Sequence, residues 1–286
     1  MQTQTSTTAP APEDGRGFVA YDSGGLTLHG WTALRDLPVE ARVTGRDGGV
    51  STGGHASLNL ALHVGDNPAA VLENRSRLAR ALGYAPGDAV FCEQTHGPAV
   101  ALVTAAERGR GALARDDALQ ATDALITRTP GVVLVVMVAD CVPIVLYDPA
   151  THTLACIHAG WGGTVRGITP ATLARLRELG VDPANLVAGV GPSIAPSRYQ
   201  VGPEVAEAAS AAIGGAEALL PDPAHDGRWL FDLWQAAAVQ LAAGGVREEN
   251  IHLAGLDTGP GTPFYSHRSE GPTGRFALVA RLEERP

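Results

Sequence analysis

The stretch GVVLVVMVADCVPIVLYDPATHTLACIHAGWGG, residues 131–163, decides the fold of this chain. Its first part, residues 131–141, is a run of apolar and β-branched residues, which is typical of a strand buried on both faces. TLACIHAG, residues 153–160, predicts a second strand. The first strand ends in Asp140 and Cys141, and the second ends beyond a histidine. Strand ends are rigid, so we expect them to hold functional side chains in a fixed geometry.

Helices and further strands lie on both sides of this stretch without strict alternation. Asn67 is a helix N-cap, Pro68 suits the first helical position, and the apolar helical spacing stops at Gly83. Apolar patterns predict other strands at 18–22, 26–34, 186–194 and 273–282, and other helices at 169–179, 203–213 and 232–243. The order predicts an α+β (mixed α/β) fold, with mixed β-sheets flanked by helices, and not a Rossmann fold.

Composition and charge exclude several classes of protein. The chain has 286 residues, of which 45% are hydrophobic and 18% are charged, a balance typical of globular domains. Its net charge of −9, without a cluster of basic residues, argues against a nucleic-acid partner. The N-terminal segment is rich in Thr, Pro and Ala, so we predict a disordered tail at residues 1–16 and a single catalytic domain over residues 17–286.

The cysteines and the apolar runs indicate a compartment. Three cysteines in a long chain do not suggest a disulfide framework, which favours a reducing environment where a thiolate stays free. The N-terminus lacks the basic start and apolar core of a signal peptide, and the longest apolar run, residues 131–139, is too short to span a bilayer. We therefore expect a cytoplasmic protein without a membrane partner. The sequence does not indicate its oligomeric state.

Three residues with metal-ligating side chains stand at predicted strand ends, namely His96, Cys141 and His158. A set of two nitrogens and one sulfur suits zinc and leaves a fourth position open, as in catalytic zinc sites. The three residues are far apart in sequence, so spacing alone leaves open a buried structural cysteine and two histidines with packing roles. His96 belongs to AVFCEQTHG, residues 89–97, where strand alternation would place Gln94 on the same face.

Six motifs occur together and in order along the chain: SLNLALHVGDN (57–67), ENRSRL (73–78), EQTHG (93–97), ADCVPIVLYD (139–148), HAGWGGTVRGI (158–168) and TGRFA (273–277). Through them the chain resembles the YfiH family, also called laccase-domain or polyphenol-oxidase-like proteins, over roughly residues 50 to 282. The resemblance implies a YfiH-like fold. It also implies metal ligands in the Gln-x-His-Gly, Ala-Asp-Cys and His-Ala-Gly-Trp motifs, which correspond to His96, Cys141 and His158.

The same resemblance implies an activity and a cofactor. It suggests a zinc-dependent purine nucleoside phosphorylase that acts on adenosine, inosine, guanosine and S-methylthioadenosine, with adenosine deaminase as a side activity. We therefore expect zinc rather than copper, and a purine nucleoside and phosphate as substrates. Zinc can orient and activate an anionic oxygen nucleophile, which suits both reactions.

The chemistry of further residues in these motifs suggests roles for them, and for Arg75 the resemblance favours the functional role. Cys141 and His63 are predicted to be catalytic, His63 as a general acid or base because histidine titrates near neutrality, although a packing role is equally open. Asn59, Arg75 and Gln94 are predicted to contact substrate. Arg75 could clamp phosphate with two hydrogen bonds or be a solvated charge on a helix face. Gln94 could hydrogen-bond a purine edge or help to position a ligand.

Departures from the family pattern concern anion binding. Gly162 stands where the family usually has an arginine, and residues 266–271 replace a segment that often contains two adjacent arginines. Either Arg75 or Arg166 would then contact phosphate, and we predict that Arg75 does. Asp140, beside the predicted thiolate ligand, could orient a ligand histidine or simply form a turn at the strand end.

Three other functions remain open on the sequence alone. A multicopper phenol oxidase needs many histidine ligands, whereas the chain has nine histidines and no His-x-His pair. A cysteine hydrolase or amidase, acting in peptidoglycan precursor editing, would use Cys141 as nucleophile and His158 as base. A structural zinc protein would usually supply four ligands rather than three. Metal content, phosphate dependence and thiol alkylation distinguish these functions.

Overall fold

The computed structural model describes residues 17–213 and 216–285, so the predicted tail at residues 1–16 lies outside the described residues. The strands, in chain order, are β1 (Phe18–Ser23), β2 (Leu26–Trp31), β3 (Val39–Thr44), β4 (Ala89–Phe91), β5 (Val100–Val103), β6 (Ala124–Thr127), β7 (Val133–Val138), β8 (Val142–Asp148), β9 (Thr153–Ala159), β10 (Val187–Val190), β11 (Gln200–Val201), β12 (Leu219–Pro221), β13 (Trp229–Phe231), β14 (Ile251–Leu253) and β15 (Phe276–Leu282). The α-helices are α1 (Pro68–Leu82), α2 (Trp161–Val165), α3 (Ile168–Glu178), α4 (Pro203–Ile213), α5 (Leu233–Ala243) and α6 (His267–Glu270).

Two six-stranded sheets form the body of the molecule. The first has the order β1-β2-β3-β15-β7-β4 and the second the order β14-β10-β8-β9-β6-β5, while β11, β13 and β12 form a small third sheet. Most neighbouring strands are antiparallel, but β4 with β7, β5 with β6 and β10 with β14 pair in parallel. The prediction of an α+β fold with mixed sheets is therefore confirmed. Within the described ranges, no helix is long and apolar enough to cross a membrane.

Side-chain alternation along the central strands explains how the sheets stack. On β7, Leu134, Val136 and Val138 face the second sheet, and the residues between them face the opposite way. On β8, Val145 and Tyr147 face the first sheet, and their neighbours again face outward. The outer side of the first sheet packs against α1, and the outer side of the second sheet packs against α3 and α5, while α4 packs against α2, α5 and the small third sheet. The predicted flanking helices therefore cover both outer faces.

Helix α1 begins and ends where the sequence predicts. The Asn67 side chain accepts a hydrogen bond from the Ala69 amide at 3.0 Å, and Gly83 ends the helix in a left-handed conformation with φ of 66°. The sequence did not reveal β5 and β6. Each of these strands has four residues, too few for an apolar period to show, and pairing with neighbouring strands decides their conformation.

The two sheets approach each other closely where Gly189 of β10 faces Trp31 of β2. A Cβ atom at Gly189 would lie 2.6 Å from Cδ2 of the buried Trp31 ring. We expect Gly189→Ala to lower the free energy of unfolding by about 1–3 kcal/mol, because an extra methyl group in a dense core forces its neighbours to shift. Urea denaturation followed by circular dichroism would measure the change.

The matched control for this substitution is Gly87→Ala, since a Cβ atom at Gly87 meets nothing within 4 Å. We expect this control to leave the midpoint of unfolding nearly unchanged. If Gly189→Ala unfolded at the same urea concentration as the wild type, the close approach of the two sheets would not constrain stability.

Candidate metal centre

The fold brings His96, Cys141 and His158 together from three separate segments. His96 lies in the loop after β4, Cys141 in the turn between β7 and β8, and His158 near the end of β9. Because β8 and β9 are antiparallel, with Pro143 opposite His158, this turn lies beside the end of β9. Cys141 Sγ is 3.8 Å from His96 Nε2, and the three ligand atoms all lie within 4.8 Å of one another. The group could therefore hold a metal ion.

A buried carboxylate, Asp123, organises this group. It lies just before β6, and its Oδ1 accepts hydrogen bonds from His158 Nδ1 at 2.8 Å and from the His96 amide at 2.9 Å. Its Oδ2 accepts from the amides of Thr95 and Gly97 at 3.1 and 2.8 Å. The contact at Nδ1 leaves Nε2 of His158 as the ring nitrogen for a metal, which is the common arrangement of histidine ligands. The amide contacts hold the loop that carries His96.

Asp123, not Asp140, orients the ligand histidine, so the first alternative for Asp140 is wrong. The two carboxylate oxygens of Asp140 accept hydrogen bonds from Thr258 Oγ1 and the Arg268 amide, both at 2.7 Å. Asp140 thus ties a distant segment to the turn that carries the thiol. No sequence pattern marked Asp123, because only the pairing of β6 with β9 brings it beside His158.

The backbone next to the ligands adopts the left-handed region at two non-glycine residues. The φ angle is 59° at His96 and 87° at Asp140. Such conformations are uncommon and cluster at functional sites, where the surrounding structure must hold them. His96 is held on both sides, because Asp123 accepts from its amide and Arg166 Nη1 donates to its carbonyl at 2.8 Å.

Two glycines after β9 leave room for this arrangement. A Cβ atom at Gly160 would lie 2.5 Å from Cys141 Sγ, and one at Gly162 would lie 2.7 Å from Arg166 Nη1. The space that a side chain at position 162 would enter is therefore occupied by Arg166. The absence of a side chain at Gly162 thus leaves room for Arg166 to reach the carbonyl of His96.

The side chains of Cys141 and His158 also shift each other's pKa values. Burial opposes ionisation of the Cys141 thiol, but the imidazoles of His158 and His96 outweigh it and lower the pKa of the thiol. Burial likewise disfavours the charged form of His158, yet the thiolate of Cys141 and the carboxylate of Asp123 raise its pKa. A thiolate is the form that binds metal and the form that attacks as a nucleophile. This charge state therefore suits both roles of Cys141.

The ligands border a cavity of about 430 Å³, a size typical of small-molecule sites. Apolar side chains and polar or charged side chains share its wall. The apolar ones include Leu62, Phe91, Met137 and Val138, and the polar or charged ones include His63, Glu93, Arg115, Arg268 and Arg275. The three candidate ligands thus share a space large enough for a nucleoside-sized molecule.

His63 lies in the wall of this cavity, as its predicted catalytic role requires. Burial and then the positive charges of Arg275, Arg115 and Arg75 lower the pKa of His63 to about 4. The imidazole is therefore neutral at physiological pH, and a neutral imidazole can accept a proton or donate a hydrogen bond. The catalytic role itself stays a prediction.

Asn59 does not border the cavity, contrary to the prediction that it contacts substrate. Its buried side chain donates from Nδ2 to the Ala61 carbonyl and the Asp66 carboxylate at 3.2 and 2.9 Å. Its Oδ1 accepts from the amides of Ala61 and Arg275 at 3.0 and 2.9 Å. These four hydrogen bonds use every donor and acceptor of the side-chain amide. Asn59 therefore joins the segment before α1 to the start of β15.

Arg75 borders the cavity, but its guanidinium is engaged with the backbone. Its Nε donates to the Leu60 carbonyl at 2.9 Å, and its Nη1 donates to the carbonyls of Gly111 and Ala112 at 2.7 and 2.9 Å. The guanidinium carbon also lies 3.8 Å from the centre of the Phe91 ring. With Nε and both Nη1 protons in use, neither edge can bind phosphate through two hydrogen bonds. The structure therefore does not support the predicted clamp.

Gln94 follows the end of β4 and does not share a strand with His96. The strand predicted over residues 89–97 ends at Phe91. The Gln94 amide pairs with the backbone of Met137 in β7, donating to its carbonyl at 2.6 Å and accepting from its amide at 2.9 Å. The side chain thus continues the hydrogen bonding of the sheet after the backbone has turned away. These contacts favour the positioning role of Gln94 over purine recognition.

Known proteins match this chain over nearly its whole length. The family model described as multi-copper polyphenol oxidoreductase laccase matches residues 40–283. A purine nucleoside phosphorylase of Deinococcus radiodurans is 38% identical over 263 residues, which cover 91% of this chain and 96% of that protein. Purine nucleoside phosphorylase YlmD of Geobacillus stearothermophilus is 36% identical over 263 residues, which cover 89% of this chain and 96% of that protein.

Solved structures share the fold as well. The crystal structure of the Bacillus licheniformis hypothetical protein YfiH aligns with a TM-score of 0.85 and 32% identity, covering 92% of this chain and 98% of that chain. YlmD from Geobacillus stearothermophilus aligns with a TM-score of 0.84 and 33% identity, covering 90% of this chain and 96% of that chain. The chain therefore belongs to the family described as multi-copper polyphenol oxidoreductase laccase, the YfiH family that its motifs resemble.

Proposed function

We propose that this protein is a zinc-dependent purine nucleoside phosphorylase. The observation that carries the proposal is the open group of His96, Cys141 and His158 in the wall of the cavity, since catalytic zinc sites combine three protein ligands with a free position. The names of the relatives supply the reaction class. In the described ranges this is the one group of three or more metal-ligating side chains, which suits a single ion better than several coppers.

The residues around the cavity would have different roles in this reaction. Bound zinc would act as a Lewis acid toward an oxygen nucleophile or the substrate. A phosphate oxygen bonds to C1′ of the sugar while the bond from C1′ to the purine nitrogen breaks, so the purine leaves with negative charge. The neutral His63 imidazole can donate a hydrogen bond to that leaving base. Leu62 and Phe91 offer apolar surface to the rings.

The apolar wall also supports a broad choice of purine. Apolar contacts discriminate weakly between rings that differ in one exocyclic group. We therefore include adenosine, inosine, guanosine and S-methylthioadenosine among the substrates. Adenosine deamination is the proposed second activity, because an oxygen nucleophile prepared at the same centre could attack C6 of the purine instead of the sugar.

The proposed metal gives a first prediction. We expect about one zinc per chain in purified protein, bound by one thiolate and two imidazoles. Cys141→Ser and His158→Ala should each lose most of the zinc, measured by elemental analysis of folded protein. Cys156→Ala is the matched control, because Cys156 lies in β9 two residues before His158 and packs in the core. Full zinc retention in both ligand variants would contradict the assignment of Cys141 and His158 as zinc ligands.

The carboxylate behind His158 gives a second prediction. We expect Asp123→Asn to raise the Kd for zinc about 10- to 100-fold, because the carboxylate orients the ligand and increases its basicity. Competition with a chromophoric chelator would measure it. The control is Asp222→Asn, which changes another carboxylate that contacts a histidine, His225, outside the cavity at 2.9 Å. Wild-type zinc affinity in Asp123→Asn would contradict the role of Asp123.

The reaction class gives a third prediction. With adenosine and phosphate, the zinc-loaded enzyme should release adenine and ribose 1-phosphate, and inosine should report deamination. Omitting phosphate should abolish adenine release and spare inosine formation, as followed by liquid chromatography. Adenine release that does not depend on phosphate would mean a nucleoside hydrolase instead.

The rival functions of the family predict other outcomes in the same experiments. A phenol oxidase would require copper and would consume oxygen with phenolic substrates. A cysteine hydrolase would lose activity on alkylation of Cys141 and would work without metal. In the proposed enzyme, bound zinc should protect Cys141 from alkylation, since the thiolate is then a ligand.

A further inference from the structure

Four arginines border the cavity, and their partners differ. Arg75 has two of its three guanidinium nitrogens bound to backbone carbonyls. Arg115 pairs with Glu93, with Nη2 at 3.2 Å from a carboxylate oxygen. Arg268 and Arg275 form no ion pair with a carboxylate in the part of the chain that the structure describes. The guanidinium groups of the last two therefore lie in the cavity wall without a direct ion-pair partner.

Arg275 directly precedes β15 and is half-buried. Its Nη1 donates to the carbonyls of Thr273 and Gly274 at 2.8 and 3.0 Å, whereas no acceptor among residues 17–213 and 216–285 contacts its Nε or Nη2. Nε and Nη2 form the edge of a guanidinium that binds an oxyanion through two parallel hydrogen bonds. Burial lowers the pKa of Arg275 and the charges of Cys141 and Asp140 oppose this, so the side chain stays protonated.

Arg268, in α6, is anchored to the turn that carries Asp140 and Cys141. Its amide donates to Asp140 Oδ2 at 2.7 Å, and its Nη1 donates to the Gln200 carbonyl at 3.0 Å. Its guanidinium carbon lies 4.8 Å from the centre of the Tyr199 ring. Both carboxylate oxygens of Asp140 already accept hydrogen bonds, from this amide and from Thr258. Within the described ranges this carboxylate forms no salt bridge with either guanidinium, although its charge raises the pKa of Arg275.

We propose that Arg275 and Arg268 form an anion subsite of the cavity and bind inorganic phosphate, the co-substrate, beside the metal centre. The inference rests on the proposed phosphorolysis, which needs phosphate next to the sugar. Keeping the half-buried Arg275 charged without a direct ion-pair partner costs free energy, and an oxyanion that binds its free edge reduces this cost. Arg275 supplies two parallel hydrogen bonds, and the more exposed Arg268 adds a second positive charge. In this proposal Arg275 and Arg268 bind the phosphate, instead of Arg75 as first predicted.

The test is a calorimetric titration of the zinc-loaded protein with inorganic phosphate. Arg275→Gln should raise the phosphate Kd about tenfold or more, because it removes charge-assisted hydrogen bonds. Arg268→Gln should raise it less. Arg275→Lys should give an intermediate Kd, since lysine keeps the charge but not the paired donors. The control Arg175→Gln removes the same charge from the surface of α3, where Arg175 pairs with Glu178, and should leave the phosphate Kd unchanged.

The possible outcomes separate this subsite from the proposed reaction. Equal phosphate Kd values for the wild type and Arg275→Gln would overturn the subsite, and so would a wild type that does not bind phosphate. Phosphate binding that depends on Arg275, without phosphate-dependent base release, would refute the phosphorolysis and support the subsite. A parallel titration with adenosine 5′-monophosphate tests whether the subsite binds inorganic phosphate or the phosphate group of a nucleotide. Binding of this nucleotide but not of inorganic phosphate would overturn the co-substrate assignment.

Discussion

The hydrogen bonds of Asp123 are the constraint on which the rest of the candidate metal centre depends. A buried carboxylate is costly unless its oxygens are hydrogen-bonded, and both oxygens of Asp123 have several donors. Burial opposes its ionisation, but the hydrogen bonds from His158 and the Gly97 amide lower its pKa to about 2, so it stays charged. The Asp123 carboxylate thereby holds the His158 ring directly and holds His96 through the backbone of its loop. Asp123 thus constrains the positions of His96 and His158 relative to each other.

The two-sheet architecture explains why the ligands meet at this point. His96 follows a strand of the first sheet, and His158 lies in a strand of the second sheet. Cys141 lies in the turn where the chain passes from β7 in the first sheet to β8 in the second. The centre thus sits at the crossing between sheets, where side chains from both can converge on one cavity. Packing between the sheets keeps the two halves of the site in register.

The polar residues of the motifs serve the scaffold as much as the cavity. The side-chain amides of Asn59 and Gln94 form hydrogen bonds with backbone groups and a carboxylate. The Arg75 guanidinium donates hydrogen bonds to three backbone carbonyls. Each of them satisfies backbone groups that a loop or a turning strand would otherwise leave without partners. The cavity wall also contains side chains whose polar atoms are less engaged, above all those of Arg275 and His63. The motif residues Asn59, Gln94 and Arg75 of this chain therefore support the shape of the site through these contacts.

The sequence by itself determined the class of the fold and the limits of α1, and through its family resemblance it pointed to the three candidate ligands, because apolar periodicity, capping residues and ordered motifs are local properties of the chain. Only the tertiary structure decided that Asp123 orients His158, that Arg75 is turned toward carbonyls, and that Arg166 reaches His96 across Gly162. These contacts join residues that are distant in the chain. Which partner a polar side chain finds depends on strand pairing and on the conformations of loops, and no local pattern records either of them.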